Sequence, residues 1–186
     1  YAAHKCAVTG SKNFIAGACA GCALTSGLCN ILIGSLVART GVLTGCDNVV
    51  LGSNIATNMT SASCNIIFGY NAGSSLNSGC ENIFIGKNAG GYALPTTSGC
   101  GNIAIGRDID LPITDGSNQL AIGGNQSYWI TGNSDFNVGI GITTPTSKLH
   151  VGGDVNASGL SLNGTLAKIR QSTSDGSDNA LVGIAG

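Results

Sequence analysis

The sequence predicts an all-β chain, either a repeat β-solenoid or an intertwined trimeric β-fibre, with units of ~17 residues and an extended β shaft after them. Three observations carry this. A five-residue phrase (Asn, aliphatic, any residue, aliphatic, Gly) recurs eight times along the chain. Of 186 residues, 30 are Gly and only 9% are charged, against a usual Gly share of ~7% and a charged share of ~25%. No stretch carries helical periodicity beyond a few turns, except for a short segment from Leu162 to Arg170.

The phrase reads Asn30-Ile31-Leu32-Ile33-Gly34, then Asn48-Val49-Val50-Leu51-Gly52 and Asn65-Ile66-Ile67-Phe68-Gly69. It continues as Asn82-Ile83-Phe84-Ile85-Gly86 and Asn102-Ile103-Ala104-Ile105-Gly106. Degenerate copies end at Gly17, Gly123 and Gly141, and successive closing glycines lie 17, 18, 17, 17, 20, 17 and 18 residues apart. Each aliphatic triplet reads as a strand, with Ile83 and Ile85 on one side and Phe84 on the other. One unit is too small to bury its own apolar side, so it must stack on its neighbours at ~4.8 Å. The column Asn30, Asn48, Asn65, Asn82 and Asn102 is expected to form an amide ladder at a coil corner. The column Gly34, Gly52, Gly69, Gly86 and Gly106 is expected where φ is positive or backbones come close. The spacing of 20 follows from Tyr92–Thr97, which is longer than its counterpart and is expected to bulge as a loop.

Five cysteines, Cys29, Cys46, Cys64, Cys80 and Cys100, precede their closing Gly by five or six residues. Two arrangements fit such a column: buried thiols acting as apolar filler, or disulfides between stacked coils. Cys19 and Cys22, with Cys6 and Cys29 nearby, do not have the spacing of a regular zinc knuckle. His4 and His150 lie at opposite ends, and Glu81 takes a place that Asp47 and Gly101 fill in other units. Asp108, Asp110 and Asp115 read as a turn rather than a calcium loop. No Ser/His/Asp set, P-loop or dinucleotide fingerprint occurs, so no enzyme activity, metal or cofactor is expected. The enzymatic alternative is the left-handed β-helix acyltransferase. It repeats its aliphatic-Gly motif three times per coil and uses a His base, whereas residues 13–141 contain no His.

From Asn133 the text changes. The stretch Asn137-Val138-Gly139-Ile140-Gly141-Ile142-Thr143-Thr144-Pro145, ending in Lys148-Leu149-His150-Val151, resembles a phrase of bacteriophage tail fibres and related trimeric virion appendages. The cysteine-bearing repeats resemble those of long structural proteins in phages of marine cyanobacteria. The repeats are also similar to the β-roll head of trimeric bacterial adhesins. The resemblance implies a structural fibre protein of a virion appendage, extracellular and homotrimeric, in contact with other virion or fibre proteins. It also implies attachment to a host-cell surface glycan or protein. An extracellular adhesin head or a self-stacking filament subunit is the alternative.

Three segments are expected: a repeat region over 1–124, a transition over 125–150 and a trimeric shaft over 151–186. From the end of the transition into the last, Leu149, Val151, Val155, Leu160, Leu162 and Leu166 form a stripe too sparse for one chain to bury. The chain opens at Tyr1 without Met or a signal-peptide pattern, which predicts a processed or truncated start. Eight Lys and Arg against nine Asp and Glu leave no basic surface for nucleic acid, and no apolar run suits membrane insertion. Tyr128 and Trp129, flanked by Asn and Gln, have two readings. One is a glycan contact; the other, favoured, makes Trp129 a plug over the end of the apolar core. Four Asn-x-Ser/Thr sequons begin at Asn58, Asn125, Asn156 and Asn163, a pattern that arises easily in Asn- and Ser-rich chains.

Overall fold

A computed structural model describes residues 9–40, 42–91, 93, 96 and 98–155, together with the backbone of 171–172 and 178–179. The described residues are all β and contain no helix. The chain divides into two units, Tyr1–Asp154 and Val155–Gly186. In the second, β11 (Gln171–Ser172) pairs antiparallel with β12 (Asp178–Asn179). The short helix considered at 162–170, and most of the expected shaft, lie outside the described residues.

In the first unit, ten strands form one sheet in chain order. They are β1 (Phe14–Ala16), β2 (Ile31–Ile33), β3 (Val49–Leu51), β4 (Ile66–Phe68) and β5 (Ile83–Ile85). β6 (Ile103–Arg107), β7 (Leu120–Gly124), β8 (Ser127–Gly132), β9 (Val138–Ile140) and β10 (Leu149–Val151) follow. β1 to β7 pair parallel, each aliphatic triplet opposite the next without slippage. The chain therefore winds its own solenoid, the first of the two arrangements that the repeat allowed. Register is held because a slip of one residue would move every apolar side chain to the opposite face.

The core is three vertical columns. The middle strand residues Leu32, Val50, Ile67, Phe84, Ala104 and Ala121 are fully buried. Ala20, Val37, Ile55, Ala72, Ala89 and Ile109, each three residues past a closing Gly, meet them from the next side. Leu24, Leu43, Met59 and Leu76 close the core from the return path. Each buried Leu, Ile or Phe contributes roughly 1.5–3 kcal/mol. Phe84, the largest, is accommodated by Gly90, where an added Cβ would lie 2.7 Å from its ring.

The expected Asn ladder is present and is buried throughout. The Nδ2 of Asn48, Asn65 and Asn82 donates to the Oδ1 of the Asn one coil earlier at 2.9, 3.0 and 3.0 Å. The same Oδ1 atoms accept the backbone N–H of those residues at 3.1, 3.1 and 3.0 Å, and Asn102 N–H reaches Asn82 Oδ1 at 2.9 Å. The remaining amide hydrogens go to the carbonyls of Gly45, Ala62, Gly79, Gly99 and Gly116. The ladder ends at Gln119. Its longer amide turns back onto the backbone of Ile113.

The turn conformation falls on the residue before each ladder Asn, not on the Asn itself. Lys12, Cys29, Asp47, Cys64, Glu81, Gly101 and Asn118 all have φ between 57° and 68°. A second left-handed column stands two residues past each closing Gly: Asn54, Asn71, Asn88, Asp108 and Asn125 among them. It carries a partly buried ladder of its own, Asn54 to Asn71 to Asn88 to Asp108. The closing glycines serve both expected purposes. Gly34 has φ 133°, and a Cβ there would lie 1.6 Å from the Gly52 carbonyl oxygen.

Asn65→Ala is expected to lower stability by ~3 kcal/mol or more, because a buried N–H and carbonyl groups on both neighbouring coils lose their partners. Thermal melting checks this. Gly69→Ala is expected to prevent folding, since its φ is 134° and the new Cβ would meet the Gly86 carbonyl oxygen at 2.5 Å.

Candidate functional site

Beyond β7 the 17-residue rhythm stops. Gly124 and Asn125 to Ser127 turn the chain, and β8 returns antiparallel to β7. β9 then runs antiparallel to β8, and β10 parallel to β9. The phrase at 137–151 thus supplies the last two strands of the sheet. The β7–β8 register breaks between Ile122 and Gly123, which leaves Trp129 as the residue without an opposite number. A bulge of this kind re-aims a side chain.

The bulge overturns the expected plug. Trp129 is 68% exposed, so it does not cap the core. Tyr128 partly does: it is half-buried and packs against the core cluster. Burial raises the Tyr128 hydroxyl above its ordinary pKa of 10.0, and the nearby charge of Asp110 adds to the rise. Asp110 is itself buried, and it accepts hydrogen bonds from Gln126 Nε2 at 3.0 Å and from the Ala93 backbone N–H. That carboxylate ties the start of the Tyr92–Thr97 segment to the reversal; whether the segment bulges lies mostly outside the described residues. Phe136, 75% exposed, is the second uncovered aromatic of this end. Sequence reasoning did not single it out.

The broader feature is the outer side of the sheet. Because each buried middle residue is flanked by two aliphatic ones, the sheet displays two apolar columns to solvent. One holds Phe14, Ile31, Val49, Ile66, Ile83 and Ile103; the other holds Ile33, Leu51, Phe68, Ile85, Ile105 and Ile122, all exposed or half-buried. The antiparallel register preserves both. Leu120 is followed by Gly132, Val138 and Leu149, and Ile122 by Ile130, Ile140 and Val151. Gly132 is the only position of the first column without a side chain. Beside it lies a pit of about 260 Å³ lined by Ile103, Leu120, Phe136 and Val138 among others. A shallow groove of about 500 Å³ runs along Gly34, Gly52 and Gly69 beside the second column.

The cysteines occupy two columns rather than one. Cys46, Cys80 and Cys100 stand two residues before their Asn, Cys29 and Cys64 one residue before. Neither expected arrangement holds for all five. Cys80 and Cys100, aligned on consecutive coils with Cα atoms 4.6 Å apart, form a disulfide. Cys29 and Cys64 are exposed free thiols and Cys46 is half-buried, so none is core filler. The left-handed backbone before each Asn turns that side chain outward, which is why burial fails here. The sulfurs of the other column accept backbone N–H groups from the coil before: Leu28 N–H to Cys46 Sγ and Cys80 N–H to Cys100 Sγ. Ser63 and Ser117 hydroxyls do the same for Cys46 and Cys100.

The residues of catalytic type are not gathered. Glu81 is exposed on a left-handed corner and Asp108 pairs with Arg107 and Asn88. His150 stands near Thr146 on β10, and His4 lies outside the described residues. Among the described residues no three His, Cys, Asp or Glu side chains are placed to hold a metal ion, and no helix is long and apolar enough to cross a membrane.

Two outcomes are expected. Under native, non-reducing conditions alkylation should label Cys29 and Cys64 readily and leave Cys80 and Cys100 linked in the peptide map. Since the folded state holds the Tyr128 proton more tightly than the unfolded state, its contribution is complete below pH ~10 and is lost as pH rises through the raised value. The melting temperature should therefore fall at alkaline pH, and Tyr128→Phe should reduce that fall. Comparison with protein-family models, with curated proteins and with solved structures gives no match.

Proposed function

We propose that the chain is a structural segment of a virion appendage of the phage tail-fibre type, a homotrimer that spans distance outside the cell and joins other fibre proteins. The observation that carries this reading is the in-register stack. Seven parallel strands, each bonded to the next through the same residues, make a rod whose length is set by the number of repeats. Each added unit lengthens it by ~4.8 Å. The tail-fibre-like phrase of residues 137–151 supports the same reading, since a rod that ends in a differently paired segment suits a junction between fibre parts.

At this end Trp129 is the residue for a host-surface contact. An uncovered indole, three and four residues along the chain from Gln126 and Asn125, has the stacking face that sugars bind. An exposed side chain contributes little to folding, so Trp129→Ala should change the unfolding free energy by no more than ~0.5 kcal/mol and barely move the melting temperature. The same change should weaken adsorption of the trimer to host cells. Unchanged adsorption removes Trp129 from the attachment surface. The fibre assignment is tested by immunogold labelling of purified virions with antibody raised against the chain. Label on a tail or collar appendage is expected, and label absent from virions but present on a bacterial surface would favour the adhesin reading.

A further inference from the structure

The largest uncovered feature of the first unit is the two-column apolar face. Monomers rarely expose a contiguous apolar patch beyond a few hundred Å². Ten strands at ~4.8 Å and three residues at ~3.3 Å give a footprint of roughly 430 Å² per copy. Three such faces meeting at one axis remove roughly 1,300 Å² in all, shared among three pairwise contacts. A single copy supplies nothing to cover the face among the described residues. Phe14, Phe68 and Leu149, spread from the first strand to the last, are each more than half exposed.

We infer that three copies of this chain pack through this face, in register, about an axis parallel to the stacking direction. The inference rests on the trimeric reading above for its stoichiometry and adds the surface and the register. A closed three-fold ring permits no translation along its axis, so each coil meets the same coil of its neighbours. In such a ring the edge before each strand of one copy faces the edge after that strand in the next. At β5 these edges carry Glu81 and Lys87, both exposed and both outside any ion pair among the described residues. The ring therefore sets the chain's sole Glu against a Lys. Other levels bring no like charges together: Lys12 faces Ala18, Asp47 faces Ser53, and Arg107 faces Gly101. The groove along Gly34, Gly52 and Gly69 then receives the neighbour's first column at Ile31, Val49 and Ile66.

Sedimentation of the full chain, with native mass spectrometry, tests this. The unaltered chain is expected as a trimer. Ile66→Asp combined with Ile103→Asp should give a monomer that keeps its β-sheet circular dichroism, because both side chains point away from the core. Glu81→Lys should weaken the trimer about tenfold at low salt, in keeping with one exposed ion pair lost at each of three interfaces. Glu81→Lys with Lys87→Glu should restore it. A trimer that survives the two Asp substitutions overturns the face while leaving the trimeric reading in place. A monomeric or dimeric unaltered chain overturns the trimeric reading and the inference together. Failure of the double charge reversal to restore what Glu81→Lys loses overturns the in-register ring.

Discussion

A buried primary amide has two hydrogens to give and two lone pairs to fill, and away from water each one left unmet costs free energy. In this chain the ladder asparagines meet that demand chiefly through the coils on either side. Asn65 takes partners from Asn48 on the coil before and from Gly79 and Asn82 on the coil after, besides the Ser63 carbonyl of its own coil. A change in register at any coil would strand amides on both sides, so the ladder fixes the parallel alignment that the apolar columns favour. Gln119 shows how the constraint is released. One extra methylene lets the amide fold back onto Ile113, and the chain is then free to reverse.

Alignment of the ladder fixes the corners. For every Asn to point inward at the same height, the preceding residue must turn the backbone through the left-handed region, whatever its side chain. Cys29, Asp47, Cys64 and Glu81 share that conformation although it is uncommon for residues other than Gly and Asn. Their strain of order 1–3 kcal/mol each is offset by the buried amide that follows. The same corner throws these side chains outward, so the chemistry of this column is surface chemistry. The strand next to it has the opposite fate. Three residues per strand put one side chain inside and two outside, and here the outer two are as apolar as the inner one. A solenoid of one chain has no use for that second apolar side. The proposed trimer gives it one.

The repeat period, the strands, the ladder asparagines and the close approach of the glycines were legible in the sequence because each is a one-dimensional regularity. A column that recurs every ~17 residues must be stacked if the units are coils. The alternation within Ile83, Phe84 and Ile85 also told which residue faces inward, since side chains alternate along a strand. The cysteines show the limit of that reasoning. Spacing of five or six residues from a closing Gly looked like one column, yet the difference of one residue moves Cys64 to the outward corner and leaves Cys80 over Cys100.

Trp129 and Phe136 mark the other limit. Hydrophobicity placed Trp129 over the open end of the core, but its position depends on the β7–β8 bulge, a pairing between strands running in opposite directions. No periodicity encodes a reversal. Tyr128 was equally well placed in the sequence to cover the core, and only the register of β8 chose between the two. Repetition thus determined what each coil contains and how the coils stack, because it acts through neighbours one period apart. The tertiary structure decided where the stack ends, which aromatic stays exposed and which thiols meet, because those depend on directions in space that a period along the chain does not carry.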